Sequence, residues 1–483
     1  MQSFRLNSVF KLFERKPLAA VARTVASRVV KICPYCQLTP IDRVFTEAKV
    51  KLPNCLNCQL STFIAKNFIK NVLRLNDKEF QRFASNNLYT RSVNAWLRGV
   101  GRFGVSRPQP TLPPIALVWN FTYKCNLKCL HCYQDSHSDS DENPCLGELS
   151  TSEALRVVDI IAKSGCGSLS FSGGEPLIRE DFYEVARHTS KHKLLCTLST
   201  NGTMIDQSVA KEIAAAGVTG VSISLDSYSS FFHDELRGVK GAHKKALRGI
   251  EACSEIDQFQ ELILAITLTN RNLEEIPKLI ELAAELGITR VYVSRILPVG
   301  RGIALSYLDV SPREQRSILH DLAELFVSYA KTGNGVAVMT RGMTYFAPQC
   351  AKLSNFEIFP ISEIVVGFEK RHKDNLGVSA KKLFRQFAEY AGGCATGLTY
   401  CGLSPEGNIL PCAPATHVHL GNILKNGLED IWINNPVLCT VRNRSKVKGK
   451  CGECTHNLIC GGCRVTAFGE SGDWLASDPS CPY

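Results

Sequence analysis

Cys125, Cys129 and Cys132, at C-x3-C-x2-C spacing, are the residues of this chain best equipped to do chemistry. They directly follow the apolar run Ile115-Ala116-Leu117-Val118-Trp119, which reads as a short buried β-strand. The cysteines therefore fall in the loop leaving the carboxyl end of that strand, where open α/β sheets and barrels place their chemistry. Three thiolates neither close a tetrahedral zinc site nor complete a four-cysteine cluster. A [4Fe–4S] cluster held by three cysteines keeps one iron free to bind a further ligand.

A site of that kind needs a large scaffold, and 483 residues exceed one typical domain. With 45% hydrophobic and 21% charged residues the composition is that of a soluble globular protein. The 21 cysteines stand out. Oxidised scaffolds that rich in cysteine are usually short secreted chains, and there is no apolar signal core followed by a small-residue cleavage site. Metal ligation in a reducing cytoplasm is the expectation. No stretch approaches a membrane-spanning run. The net charge of +11 suits an anionic substrate, nucleic acid or an acidic electron donor and selects none of them.

Along the sequence, residues 1–107 read as an amino-terminal region. It opens with a basic segment carrying Arg5, Lys11, Arg15, Lys16, Arg23 and Arg28, a helix to be packed on the protein or laid on a membrane. Two CxxC knuckles follow, Cys33–Cys36 and Cys55–Cys58, separated by eighteen residues. Each knuckle offers two thiolates to one tetrahedral ion, either zinc as in a ribbon or mononuclear iron as in rubredoxin. Residues 63–97 have helical periodicity. The segment Pro108-Gln109-Pro110-Thr111-Leu112-Pro113-Pro114 is expected to be a stiff linker at a domain boundary.

From 115 to 301 short β-type runs alternate with helices, which predicts an α/β fold. Strands are expected at Trp119, Ser168–Ser172, Leu194–Ser199, Val221–Leu225, Leu262–Leu268 and Thr289–Ile296. Capping boxes open helices at Ser150 with Glu153 and at Ser311 with Glu314, and Asn272 with Glu275 is read as a third helix start. Six βα units with parallel crossovers imply a barrel or an open part-barrel. Polar motifs end several strands: Gly173-Gly174-Glu175-Pro176, Ser199-Thr200-Asn201-Gly202, Ser222-Ile223-Ser224-Leu225-Asp226, and Arg237 just beyond. Their glycines allow close backbone approach, and their hydroxyls, amides and charges suit a ribose, an ammonium or a carboxylate. Residues 302–390 carry weaker signals and are read as a bridge.

The cysteine spacing, His131 before the third cysteine, and the order of these motifs resemble the radical S-adenosylmethionine superfamily, with its partial (β/α)6 TIM-like barrel. The resemblance implies that Cys125, Cys129 and Cys132 hold a [4Fe–4S] cluster whose free iron chelates S-adenosylmethionine. It also implies reductive cleavage to a 5′-deoxyadenosyl radical that abstracts hydrogen from a C–H bond. Gly173, Gly174 and Glu175 would then hold the ammonium, Ser199 or Asn201 the ribose, and Ser224 with Arg237 the carboxylate.

Residues 391–483 hold eight more cysteines: Cys394, Cys401, Cys412, Cys451, Cys454, Cys460, Cys463 and Cys481. Eight thiolates suffice for two four-cysteine clusters. The region resembles the SPASM extension, which binds two auxiliary [4Fe–4S] clusters. That resemblance assigns Cys394, Cys401, Cys412 and Cys463 to one cluster and Cys451, Cys454, Cys460 and Cys481 to the other. Two residues separate Cys460 from Cys463 where the broader pattern has three. The Cys-Gly-Gly-Cys-Arg form resembles the branch of haem-biosynthesis decarboxylases, haem d1 maturases and the pyrroloquinoline quinone peptide cyclase. Cys145, Cys166, Cys196, Cys253, Cys350 and Cys439 are left as packing residues.

The expected activity is that of an anaerobic, cytoplasmic radical S-adenosylmethionine and SPASM enzyme maturing a peptide or a tetrapyrrole-like cofactor. Its auxiliary clusters would carry electrons or bind substrate, and reduced ferredoxin or flavodoxin would supply electrons. The competing reading is an iron–sulfur or zinc protein that binds nucleic acid or transfers electrons without cleaving S-adenosylmethionine; it lacks a specific aromatic-basic patch. Asp226, His233 and Tyr400 are candidate acids or bases by chemistry alone.

Overall fold

The computed structural model describes residues 76–136, 147–333, 335–354 and 393–483, together with 66, 67 and 70. The amino-terminal basic segment, both CxxC knuckles and Cys145 lie outside the described residues. Among the described residues, α1 (Asp77–Ser85) and α2 (Asn87–Phe103) precede the sheet, within and just beyond the stretch 63–97 whose periodicity reads as helical. The break falls at Asn86, whose side chain caps α2 by accepting from the Leu88 and Tyr89 N–H groups.

The sheet has nine strands: β1 (Ala116–Thr122), β2 (Ser168–Gly173), β3 (Leu195–Thr200), β4 (Gly220–Ser224), β5 (Glu261–Leu268), β6 (Arg290–Arg295), β7 (Ala337–Arg341), β8 (Tyr400–Leu403) and β9 (Ile409–Leu410). Their order is β7-β6-β5-β4-β3-β2-β1-β8-β9. All neighbours are parallel except the β8–β9 hairpin. The six expected strands are present. The seventh comes from the region read as a bridge, and the eighth and ninth come from the cysteine-rich end.

Crossover helices cover the outer face: α3 (Thr151–Ser164), α4 (Phe182–Lys191), α5 (Gln207–Ala215), α6 (Ser230–Arg237), α7 (Ala242–Ser254), α8 (Ile276–Glu285) and α9 (Pro312–Thr332). Both expected capping boxes form, at Ser150 with Glu153 and at Ser311 with Glu314. Asn272 stands at the start of a 3₁₀ turn (Leu273–Glu275) that leads into α8, as expected, but its side chain does not cap it. Its amide nitrogen donates to the Asp226 and Thr267 carbonyls and its oxygen accepts from Thr269, because a buried amide between two strand ends finds better partners there than at a helix start.

The segment 108–114 is no free linker. Thr111 N–H donates to the Leu398 carbonyl (2.8 Å), Leu112 N–H to the Ala95 carbonyl (2.8 Å), and the Trp432 indole to the Thr111 carbonyl (2.7 Å). Prolines remove donors, and the donors that remain are spent on clamping α2 to the carboxyl-terminal segment.

The strands alternate between two environments. Leu117, Trp119, Phe121, Leu169 and Phe171 face the helices and are fully buried. Trp119, Phe121, Phe171 and Phe182 pack edge to face or offset, with successive ring centroids 5.0–5.9 Å apart. The Arg179 guanidinium lies 4.0 Å above Phe121, donates to the Phe121 and Leu149 carbonyls, and pairs with Asp181 at 2.6 Å. That cluster anchors the strand from which the cysteine loop departs. Among the described residues no helix is long and apolar enough to cross a membrane.

Candidate active site

The inner face of the sheet carries Ser168, Ser170 and Ser172 of β2, Thr197 and Ser199 of β3, Ser222 and Ser224 of β4, Thr267, Ser294 and Thr340. Barrels of this type fill their interior with bulky branched side chains. Short hydroxylated ones leave a cavity of about 500 Å³, walled also by Arg237, Arg295, Arg341, Tyr133 and Tyr400.

At the rim, the cysteine loop is built to present sulfur as an acceptor. Cys125 Sγ accepts from Leu127 N–H (3.4 Å) and Cys132 Sγ from Ser136 N–H (3.5 Å), while the Arg237 guanidinium lies 3.9 Å from Cys129 Sγ. Burial pushes the Cys125 thiol up to about 12 and raises that of Cys129. Thiols so desolvated ionise only with a positive partner, and a cluster of iron supplies one. Three converging sulfurs fed by donors thus fit a three-thiolate [4Fe–4S] cluster.

Gly173 and Gly174 serve the loop itself. A Cβ at Gly174 would stand 2.0 Å from the Lys124 carbonyl oxygen, and one at Gly173, where φ is +111°, would stand 2.9 Å from the Thr122 oxygen. Only glycine lets the β2 loop lie directly on the cysteine loop. Glu175 is completely buried, and its carboxylate accepts from Leu177 N–H, Thr200 Oγ1 and Asn201 N–H. Burial pushes it up to about 7. The side chain therefore ties β2 to β3, and the ammonium role expected of this motif would fall to the loop backbone.

Ser199, Ser224 and Arg237 face the cavity. Asn201 is committed to the cysteine loop: its amide donates to Asn126 Oδ1 (2.8 Å) and its oxygen accepts from Thr203. Arg237 Nε donates to Asp226 Oδ2 at 2.6 Å. Burial alone would raise the Asp226 carboxyl, but Arg237, His131 and His233 outweigh it and hold the group below its ordinary range. Of the three acid–base candidates, Asp226 and His233 are buried away from the cavity and bonded to each other, Asp226 N–H to His233 Nδ1 at 3.1 Å. Tyr400 alone lines the cavity.

The carboxyl-terminal cysteines form two groups. Cys451, Cys454, Cys460 and Cys481 are electrostatic neighbours. The sulfurs of Cys451, Cys454 and Cys460 accept from Asp478, His456 and Gly462 N–H groups at 3.3–3.4 Å. Cys394, Cys412 and Cys463 line the cavity. Cys401 does not join them. It lies beside Leu117 on β1, and both are fully buried in the core under the helices. Tyr400, next to it in a strand of period two, faces the cavity. The expected grouping of Cys394, Cys401, Cys412 and Cys463 is therefore split, and the cavity-side group offers three thiolates.

A buried series of hydrogen bonds joins the two cysteine loops. Tyr133, beside Cys132, donates its hydroxyl to Asn120 Oδ1 (2.9 Å), Asn120 Nδ2 donates to the Ala413 carbonyl (2.9 Å), and Ala413 N–H donates to the Tyr400 oxygen (3.0 Å). Sequence reasoning missed Asn120, Tyr133, Arg295 and Arg341. Alternation along β1 and β6 carries a partial signal, but their partners are set by long-range pairing.

A parallel part-barrel with a three-cysteine loop at the end of its first strand and a cysteine-rich extension beside it defines a radical S-adenosylmethionine enzyme with a SPASM domain. The chain belongs to that superfamily, matching the Radical SAM superfamily over residues 119–302 and SPASM, an iron-sulfur cluster-binding domain, over residues 394–455. It is 35% identical to the AdoMet-dependent heme synthase of Methanosarcina barkeri over 376 residues, 77% of this chain and 97% of that one. It is 30% identical to the pre-heme d1 synthase of Dinoroseobacter shibae over 77% of this chain and 89% of the other. Streptococcus suis SuiB bound to its precursor peptide SuiA shares the fold, with a TM-score of 0.60 at 18% identity over 88% of this chain and 89% of that one. The two domains imply [4Fe–4S] clusters and S-adenosylmethionine as cofactors.

Proposed function

We propose that this enzyme modifies a carboxylate-bearing tetrapyrrole by abstracting hydrogen from a C–H bond of one of its substituents. The observation that carries the reading is Arg295. It pairs with Asp309 through Nε and Nη2, yet its Nη1 is buried without a hydrogen-bond partner at the cavity wall. A buried guanidinium donor left open is costly and calls for an anionic acceptor. Arg341, stacked 4.3 Å over the Tyr292 ring, lines the same wall beside Met339, Met343 and Phe346. Two cations beside an apolar, aromatic patch match the carboxylates and flat face of a tetrapyrrole. The heme-related names of the relatives at 30–35% identity support the same class.

When bound, the cluster on Cys125, Cys129 and Cys132 supplies the electron that splits S-adenosylmethionine to a 5′-deoxyadenosyl radical. The protein orients the reactants and excludes water. Ser199, Ser224 and Arg237 would hold the ribose and carboxylate of S-adenosylmethionine, and Arg295 with Arg341 would fix the substrate carboxylates. Cys394, Cys412 and Cys463 would hold an auxiliary cluster at the cavity wall, and Cys451, Cys454, Cys460 and Cys481 a second. The reading extends to zinc at Cys33, Cys36, Cys55 and Cys58, to a reduced ferredoxin or flavodoxin donor drawn by the protein's positive charge, and to a cytoplasmic location.

The test is anaerobic incubation with S-adenosylmethionine, dithionite and an iron coproporphyrin, reading 5′-deoxyadenosine and porphyrin mass. The wild type should form 5′-deoxyadenosine faster with the porphyrin and change its mass. Cys125→Ala should do neither, and Arg295→Gln should raise KM for the porphyrin. Equal 5′-deoxyadenosine with and without porphyrin, and no mass change, would overturn the substrate and turn attention to peptides.

A further inference from the structure

We propose that Asp159, His188 and His192 form a binding site for one divalent transition-metal ion, with zinc as the probe, on the outer helical layer away from the cavity. His188 and His192 are four residues apart at the end of α4, so their rings stand one turn above the other on the same face, with centroids 4.7 Å apart. Asp159 comes from α3. Each imidazole Nε2 lies 2.8 Å from the same carboxylate atom, Asp159 Oδ1, and the ligand atoms of all three lie within 4.8 Å of one another.

The chemistry of this trio is that of a borderline metal. Imidazole nitrogen and carboxylate oxygen suit zinc, nickel and copper, and three protein ligands leave a fourth position for water. Side-chain exposures of 26%, 33% and 37% for His188, His192 and Asp159 make the site reachable from solvent without leaving it flat on the surface. Without metal, a hydrogen bond from each histidine to the shared carboxylate oxygen requires the proton on Nε2. Binding moves that proton to Nδ1 and turns each Nε2 lone pair to the ion, with no net redox change.

The backbone beneath the site is already fixed. Val157, Val158 and Ile161 of α3 and Phe182, Val185 and Ala186 of α4 are buried in the core. Arg91 of α2 donates to the carbonyls of both His192 (2.9 Å) and Cys166 (2.6 Å), holding the ends of α4 and α3 together. Rigid placement reduces what binding must order. The ion would bridge the helix that follows the cysteine loop to the helix that follows the Gly173-Gly174 loop, bracing both from outside.

The experiment compares cluster-loaded wild type with His188→Gln/His192→Gln, each equilibrated anaerobically with zinc, desalted, and assayed for zinc and iron by mass spectrometry. Zinc held by cysteines is common to both proteins and cancels. The expected result is one zinc equivalent less in the variant at equal iron content, with a larger zinc-dependent rise in Tm in the wild type than in the variant. Equal zinc in both proteins at equal iron overturns the proposal and leaves the trio a hydrogen-bonded clamp. If the double variant does not fold, His192→Gln and Asp159→Asn, which keep the helix contacts, give the same comparison.

Discussion

Backbone N–H groups aimed at sulfur mark five of the expected ligands. Cys125, Cys132, Cys451, Cys454 and Cys460 receive such donors. Cys166 instead donates its thiol to the Ile115 carbonyl and Cys439 to that of Ile433, as protonated side chains do. Cys401 faces the core while Cys412 faces the cavity, so Cys401→Ala should keep the full iron content, whereas Cys412→Ala should lose about four irons, one cluster. Iron and sulfide assay decides, and equal losses would restore Cys401 as a ligand. Glu175 gives a second residue-scale expectation. Its carboxyl ordinarily titrates at 4.5 and is pushed up to about 7 in the fold. The folded state therefore holds a proton that the unfolded chain releases, and stability contributed by this group falls as pH rises from 4.5 through about 7. The loss is on the order of 3 kcal/mol. Glu175→Gln should flatten that part of the pH profile in denaturant titrations; parallel curves would refute it.

Between elements, the decisive contacts are loop on loop. Gly174→Ala sets a methyl group 2.0 Å from the Lys124 oxygen, so either the β2 loop or the cysteine loop must shift. The variant should lose the iron of the S-adenosylmethionine site and its 5′-deoxyadenosine formation while keeping auxiliary iron. Full iron in Gly174→Ala would show the loops to be compliant. Much of this scale was readable beforehand. Alternating Ser-x-Ser runs such as Ser168-Leu169-Ser170-Phe171-Ser172 mark both a strand and the side on which its interior stays hollow, and the two capping boxes start their helices where the pattern says. Asn272 also opens a helical segment, but its side chain is spent elsewhere, because a local pattern cannot show that Asp226 and Thr267 present carbonyls to it. β7 was hidden because Ala337-Val338-Met339-Thr340-Arg341 is short and follows a stretch with few turn signals. The choice of Cys394, Cys412 and Cys463 without Cys401 depends on the register of β8 against β1, which linear spacing does not encode.

On the scale of the whole molecule, the carboxyl-terminal cysteine region and the barrel share one sheet. β8 pairs with β1, the Trp119 indole donates to the Ser404 carbonyl, and Trp432 is fully buried with its indole on Thr111. Trp432→Ala should destabilise the barrel as well as the extension by about 3–5 kcal/mol. Unfolding followed by far-ultraviolet dichroism and by iron–sulfur absorbance should shift together; separate transitions would mean the extension folds alone. For the proline segment composition shows stiffness, and only the assembled structure shows that Thr111 and Leu112 are gripped from both sides.

The pairing of β1 with β8 also has a meaning in time. A ribosome delivers Ala116–Thr122 early and Tyr400–Leu403 more than half the sequence later, so during synthesis the first strand of the sheet waits with one edge bare. The strand that covers that edge travels with Cys394 and Cys412 on either side of it. Sealing the sheet therefore also sets two of the three cavity-side cysteines in place, late in synthesis, and a nascent polypeptide short of that point has neither a closed edge nor a second wall for its cavity.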